Sequence, residues 1–279
     1  MQRLHVCKVS AKDKKSIQAL PMSNHNKTLL FVVLLLIGLL ILQNTYYPFS
    51  NWWYLAIVVP HFILLSYASS NIRLNFFLNA ISSAETNKKV VALTFDDGPD
   101  PKCTPMVLDI LEKYNAKATF FCIGKKIKPS DEVLKRIDKE GHIVGNHSYS
   151  HNVIFDFFPR VMMKKDLVKT TNLIEQNIGK KVRFFRPPFG VTTPTMANAV
   201  KDLKHTTIAW NNRSLDTIIS DDDKVLERIE KNLKPGGIIL LHDIYPRHKT
   251  LLPRIIERLG ELSYEIVPLT DLLNINAYE

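Results

Sequence analysis

Cysteine is scarce in this chain: Cys7, Cys103 and Cys122 lie far apart, with no CxxC spacing. An odd, scattered set excludes a disulfide framework and a zinc knuckle. Cys122, inside an apolar run, reads as a small buried residue. Glycine is scarce too, ten in 279 residues, and no GxGxxG or other phosphate-cradling loop occurs, so a nucleotide-binding sheet lacks its signature. There is no internal repeat and no low-complexity tract. The formal charge is +10, yet no basic stripe interleaved with aromatics appears, and nucleic acid is not an expected partner. No small-residue cleavage site follows the first apolar run, which argues against a cleavable signal peptide.

Two long apolar runs are present. Residues 29–42 are apolar apart from Gly38, and residues 54–67 are interrupted only by Pro60, His61 and Ser66. Each is shorter than the roughly 20 residues that usually span a bilayer. The stretch between them, 43–53, has no charge and five aromatics, the composition of a membrane interface. The expected organisation is a basic tail over 1–27, a membrane hairpin anchor over 28–70 (apolar segments 29–42 and 54–68), a linker over 71–87, and a catalytic domain over 88–279. Arg3, Lys8, Lys12, Lys14, Lys15 and Lys27 place the N-terminus on the cytosolic side by the positive-inside pattern. Met22 is an alternative start that would remove most of them. Residues 1–87 hold seven Lys/Arg against two Asp/Glu, and the remainder thirty against twenty-five. That modest excess suits an anionic membrane surface or an acidic glycan.

From residue 88 the chain alternates. Strand-like runs at 89–95, 118–123, 142–146, 181–186, 205–210, 237–242 and 264–268 are separated by segments of helical period near 104–114, 130–140, 160–178, 194–203, 222–233 and 249–260. Ser130 before Asp131-Glu132, and acid at 221–223, mark helix starts. Gly141, Gly179 and Gly260 mark stops. Seven strands alternating with helices predict a parallel α/β sheet, closed as a barrel or open and doubly wound.

Polar residues collect just past the strand ends: Asp96 and Asp97, His147 and His151, Arg186 before Pro187-Pro188, Trp210 with Asp216 in the following loop, and His242 with Asp243. In α/β barrels that face gathers ligands and catalytic groups. Two adjacent anions at the mouth of a buried strand repel each other unless something shares their charge. Histidines at i and i+4 on a helical turn point the same way and, with a carboxylate, suit a divalent metal with open positions. Adjacent aspartates point in different directions, so one is expected on the metal and its neighbour on a proton. Arg186 would partner the proton-taking carboxylate. Pro187-Pro188 removes two donors and leaves the Phe189 N–H to face a developing oxyanion. His242, held protonated by Asp216, would be a general acid.

Thr94-Phe-Asp-Asp-Gly-Pro99, His147-Ser-Tyr-Ser-His151, Arg186-Pro-Pro-Phe-Gly190 and Leu240-Leu-His242 resemble, in order and spacing, four of the five motifs of the polysaccharide deacetylase family, also called carbohydrate esterase family 4 or the NodB homology domain. The resemblance spans about 88–270. It implies a distorted (β/α) barrel that removes N-acetyl, sometimes O-acetyl, groups from amino-sugar polymers such as peptidoglycan and chitin. Carried over, Asp96 resembles the catalytic base, and Asp97, His147 and His151 the ligands of one divalent metal ion, with Zn²⁺ expected. Arg186 resembles the residue tuning the base, the Phe189 N–H the oxyanion donor, His242 the acid, and Leu240 a wall of the acetyl pocket. The family usually has Tyr where Phe189 stands. The remaining motif departs further: from Trp210, the chain keeps Asp216, which tunes His242, but has Arg213 for an Asp and Thr217 for a Trp.

The resulting expectation is a membrane-anchored, metal-dependent N-deacetylase of a glycan or lipid-linked amino sugar in a bacterial cell membrane. Rivals are a deformylase or other amide hydrolase of the same fold, and a glycan-binding protein without activity. The side of the membrane stays open: two spans with the N-terminus inside return the domain to the cytosol, whereas polymer-trimming relatives work outside.

Overall fold

The computed structural model describes residues 23–45 and 50–279. Most of the basic tail, with Cys7 and Met22, and three of the aromatics expected at the hairpin tip (Tyr46, Tyr47 and Phe49) lie outside the described residues.

Helices α1 (Asn24–Thr45) and α2 (Trp52–Ser70) are apolar on all sides, and between them they bury only Ala68. At 1.5 Å per residue, the 22 residues of α1 reach about 33 Å, the thickness of a hydrocarbon core. Phe31, Phe62 and Trp52 are 62%, 69% and 75% exposed, surface that water does not favour. The Tyr54 hydroxyl donates to Gln43 Oε1 at 2.7 Å near one end of the pair. At the other end both helices meet the rest of the chain. The His25 N–H donates to the Phe76 carbonyl, while Ser69 Oγ donates to the Thr192 carbonyl at 2.7 Å and the Thr192 N–H returns to Ser69. This is the geometry of a hairpin.

Nine strands form one sheet: β1 (Ala80–Ile81), β2 (Val90–Asp96), β3 (Ala118–Cys122), β4 (Ile143–Asn146), β5 (Phe184–Phe185), β6 (Thr206–Ile208), β7 (Asn212–Arg213), β8 (Gly237–His242) and β9 (Glu265–Ile266). The order is β1-β6-β5-β4-β3-β2-β8-β7, every named pair is parallel, and β9 adds to the start of β2. Strand β1 lies at one end of this path and β7 at the other, so the barrel is distorted and open. All seven expected strands are present. The two unexpected ones, β1 in the presumed linker and β7 in a presumed loop, are two residues long and extend the sheet at its ends.

Alternation along the strands separates two faces. Val91, Leu93, Phe95, Ile239 and Leu241 point outward into the main core beneath α3 (Cys103–Lys113), α5 (Asp131–Lys139), α8 (Asp222–Lys231) and α9 (His248–Glu261). Ala92, Phe121, Phe184, Ile208 and Ile238 fill the concave side. Helices α6 (Arg160–Ile178) and α7 (Pro194–Asp202) cover a smaller cluster around Phe185 and Met196. A short α4 (Gly124–Ile127) follows β3, and α10 (Leu269–Leu273) ends the fold.

Several local signals act as expected. Asp221 Oδ1 accepts the Asp223 N–H at 2.9 Å, and Gly179 turns left-handed (φ 70°) to end α6. Others do not. The Ser130 hydroxyl makes no cap bond, and α9 runs through Gly260 to Glu261.

Candidate active site

On β2, the alternation that sends Phe95 outward keeps Thr94 and Asp96 on the concave side. On β8 it does the same for Leu240 and His242. Asp96 and His242 are register partners across adjacent strands, so a carboxylate and an imidazole stand side by side at the strand ends. Leu240 is buried one rung below, opposite Thr94.

Asp96 is held from behind by Arg186, whose side chain is fully buried. The Nη1 of Arg186 donates to Asp96 Oδ1 and to Thr94 Oγ1, both at 2.8 Å. Its Nε and Nη2 donate to the carbonyls of Ile208 (3.1 Å) and Ala209 (3.0 Å). The guanidinium lies 4.1 Å over the Phe121 ring and 5.5 Å from that of Trp210. A buried cation is tolerable only with partners of this kind. Gly145 makes room for the stack, since a Cβ there would sit 2.6 Å from the Phe121 ring.

After Asp96 the backbone turns left-handed at Asp97 (φ 74°) and aims the second carboxylate at the histidines. Asp97 Oδ1 lies 3.2 Å from His151 Nε2 and 3.7 Å from His147 Nε2. One ligand atom from each of the three residues falls within 4.8 Å of the others. Asp97 Oδ1 is buried and accepts no hydrogen bond, a costly arrangement for a carboxylate oxygen unless a cation takes it. His147 Nδ1 sits 2.8 Å from the Arg186 carbonyl. A carbonyl only accepts, so Nδ1 carries the proton and Nε2 presents its lone pair. Burial, helped by the neighbouring His147, lowers the His151 pKa to about 4 and keeps that ring neutral. One carboxylate oxygen and two imidazole nitrogens fit a divalent cation of borderline softness with open positions. Gly98 follows and packs against Asp243, where a Cβ would meet a carboxylate oxygen at 2.3 Å.

The two histidines do not sit on a helical turn. Residues 147–151 form an irregular loop with Ser148 (φ 64°) and His151 (φ 42°) left-handed, yet the imidazole rings still come within 5.0 Å of each other. Side chains from outside the motif hold the loop. Asp166 of α6 accepts the N–H groups of Tyr149 (2.6 Å) and Ser150 (3.1 Å), and Asn146 Oδ1 accepts that of Ser148.

Asp216 is buried and takes four donors: the His242 N–H and Nδ1 (each 2.8 Å), Ser214 Oγ (2.9 Å) and His248 Nε2 (3.1 Å). Burial pulls its pKa up, but the bonds from His242 and His248 outweigh that and hold it well below the carboxylate range. The reverse holds for His242: burial lowers its pKa, and Asp216 more than compensates, so the net direction is up. With Nδ1 engaged, Nε2 is the nitrogen left to exchange a proton. Phe189 follows two prolines in a left-handed turn (φ 58°). The Arg186 N–H is spent on the Asn146 carbonyl, so Phe189 carries the next backbone donor along this edge. Its ring lies edge-on to His151 at 4.7 Å, and Trp210 packs over Gly190.

All ten candidate residues therefore line one edge of the sheet. Sequence reasoning missed His248, fully buried at the start of α9 with no spacing signal, and Asp166, which lies one helix away. It noted Asp243 without assigning it a role. That side chain is buried, bonded to Thr104, and its pKa is raised to about 6 by desolvation.

Comparison with known proteins agrees with this arrangement. Residues 83–208 match the model of the family described as polysaccharide deacetylase. A peptidoglycan-N-acetylglucosamine deacetylase of Bacillus cereus is 33% identical over 192 residues, 67% of this chain and 89% of that protein. The peptidoglycan-N-acetylmuramic acid deacetylase PdaC of Bacillus subtilis is 33% identical over 190 residues, 68% of this chain but 40% of that longer protein. Among solved structures, the Bc1960 peptidoglycan N-acetylglucosamine deacetylase superposes with a TM-score of 0.67 at 30% identity, covering 72% of this chain and 95% of its own. The Bacillus anthracis protein BA3943, described as a pseudoenzyme of carbohydrate esterase family 4, superposes with a TM-score of 0.65 at 31% identity, covering 70% and 68%. The chain belongs to the polysaccharide deacetylase family, carbohydrate esterase family 4, and its class is that of the carbohydrate N-deacetylases.

Proposed function

We propose that the chain is a metal-dependent hydrolase that removes N-acetyl groups from amino sugars of a bacterial glycan, anchored to the membrane by α1 and α2. The observation that carries this reading is the convergence of Asp97, His147 and His151 around an orphaned carboxylate oxygen, beside a second carboxylate already neutralised by a buried arginine. A pseudoenzyme among the structural neighbours means that fold alone is no warrant for activity. Support for activity comes from the side-chain set itself, with Asp96, Asp97, His147, His151, Arg186 and His242 all present along the strand ends.

Asp97, His147 and His151 would hold one divalent cation, which we take to be Zn²⁺. When bound, it supplies Lewis acidity that makes a water more acidic and the acetamide carbonyl more electrophilic. Asp96, with Oδ1 tied to Arg186, keeps Oδ2 free to take a proton from the attacking water. The Phe189 N–H donates to the oxygen that gains charge as the carbonyl carbon becomes tetrahedral. His242, its Nδ1 proton on Asp216, gives a proton from Nε2 to the departing amine. Leu240 and Trp210 wall the acetyl methyl. Acetate and a free amino sugar result.

The test is to incubate the full chain in detergent with N-acetylglucosamine oligomers and with peptidoglycan, and to measure released acetate and new primary amine together. Equal yields of both support the reading. Formate released from an N-formyl amino sugar incubated in parallel, with no acetate from the N-acetyl substrates, would favour the deformylase rival. Loss of neither group in a chain shown to hold its cation would favour the glycan-binding one.

A further inference from the structure

The end of α2 closes one side of a cavity that reaches the candidate active site. About 380 Å³ in volume, it is lined by Tyr67 and Ser70 of the last helical turn, by Arg73, by Phe189 and Trp210, and by Arg213 and Arg228. Three arginines thus line one pocket. Among the described residues none of the three forms an ion pair. Arg213 lies 5.9 Å from the Trp210 ring, and Arg228 spends only its Nε, on the Arg213 carbonyl at 2.9 Å. Unpaired cations facing a shared cavity repel one another, and an anion with several acceptor oxygens relieves that repulsion.

The placement narrows the anion. Ser69, next to the cavity, is hydrogen-bonded to Thr192, two residues past Gly190, so the helix end and the Phe189 turn are fastened together. Phe189 also touches His151, ring to ring at 4.7 Å. A group in the cavity is therefore one aromatic ring away from the candidate metal ligands. It also sits at the level where the apolar surface of α2 stops, which is the phosphate plane of a membrane that α1 and α2 span. We infer that this pocket binds the phosphate or diphosphate of a membrane lipid that carries the sugar to be deacetylated. The lipid's tail lies along the exposed apolar face of α2 and its sugar passes Phe189 into the site. Which sugar the lipid carries rests on the deacetylase reading; the choice of anion does not.

The probe is a short-chain alkyl diphosphate without any sugar, titrated calorimetrically into the full chain in neutral detergent micelles, with inorganic pyrophosphate as the soluble counterpart. The expected result is binding of the lipid diphosphate that weakens about tenfold or more in the double variant Arg213→Gln/Arg228→Gln, with pyrophosphate binding far weaker to both. Both arginines are on the surface side of the fold, and matching melting curves for variant and parent would confirm folding. Unchanged affinity in the double variant overturns the assignment of the pocket. Equal affinity for pyrophosphate and lipid diphosphate overturns the lipid as the source of the phosphate. Failure to release acetate from an N-acetylated amino sugar carried on the same lipid diphosphate, measured separately, would strike at the deacetylase reading and leave this binding result standing.

Discussion

Replacing Asp216 by Asn isolates the charge that His242 depends on. The carboxylate accepts from the His242 N–H, His242 Nδ1, Ser214 and His248. An amide of the same shape keeps one acceptor oxygen and turns an NH₂ toward the remaining donors. Loss of a charge-assisted hydrogen bond is worth about 1.5–3 kcal/mol, and one pKa unit is about 1.4 kcal/mol. The His242 pKa should therefore fall by about one to two units, because burial, which lowers it, is then opposed only by the charges of Asp96 and Asp97. His242 must be protonated to deliver its proton, so the alkaline limb of the kcat/KM–pH profile moves to lower pH by that amount while the acid limb stays. The stability signs follow the same pair. His242 has a raised pKa, so its contribution is complete below the unfolded value near 6.5 and fades as pH rises through the folded value. Asp216 has a lowered pKa, so its contribution is complete above the unfolded value near 4 and fades as pH falls through the folded value. Denaturation melts of the variant should lose both dependences. A variant whose alkaline limb does not move would refute the pairing of Asp216 with a catalytic His242.

Three further outcomes are expected. Asp96→Asn should lower turnover by at least about a hundredfold with bound metal near the parent level by atomic absorption, whereas His147→Ala should lose both; equal metal loss would contradict the division of roles. Arg186→Met, which leaves Asp96 buried without its cation, should cost about 3–5 kcal/mol in a denaturant melt, and a loss under 1 kcal/mol would show that Asp96 is solvated some other way. Gly98→Ala must displace the Asp243 carboxylate, so a melt should show a loss of about 1–3 kcal/mol; an unchanged midpoint would mean that loop yields freely.

Much of this architecture is legible in the sequence because it rests on short-range patterns. The run from Val90 to Phe95 is apolar apart from Thr94, and the strand is buried on both faces. What escaped is set by tertiary packing. Strands β1 and β7 are two residues long and join the sheet through backbone bonds, which leave no side-chain period to read. The left-handed turns at Asp97, Ser148 and His151 fall on residues with no glycine to announce them, so a helical turn was the natural but mistaken expectation for 147–151. His248 reaches Asp216 only because α9 packs behind β2, where its ring meets Phe95 edge-on at 6.0 Å. Arg186 is expected from the sequence beside the proton-taking carboxylate, but its full burial, with the carbonyls of Ile208 and Ala209 closed around it, is set by packing alone.

The central claim is that Asp97, His147 and His151 hold a cation that deacetylation requires. The most direct measurement is acetate release from an N-acetylglucosamine oligomer by the full chain, before chelation, after dialysis against a chelator, and after returning one equivalent of Zn²⁺. The account predicts activity that disappears with the cation and returns at one metal per chain. Undiminished acetate release from chain shown to be free of metal would contradict it.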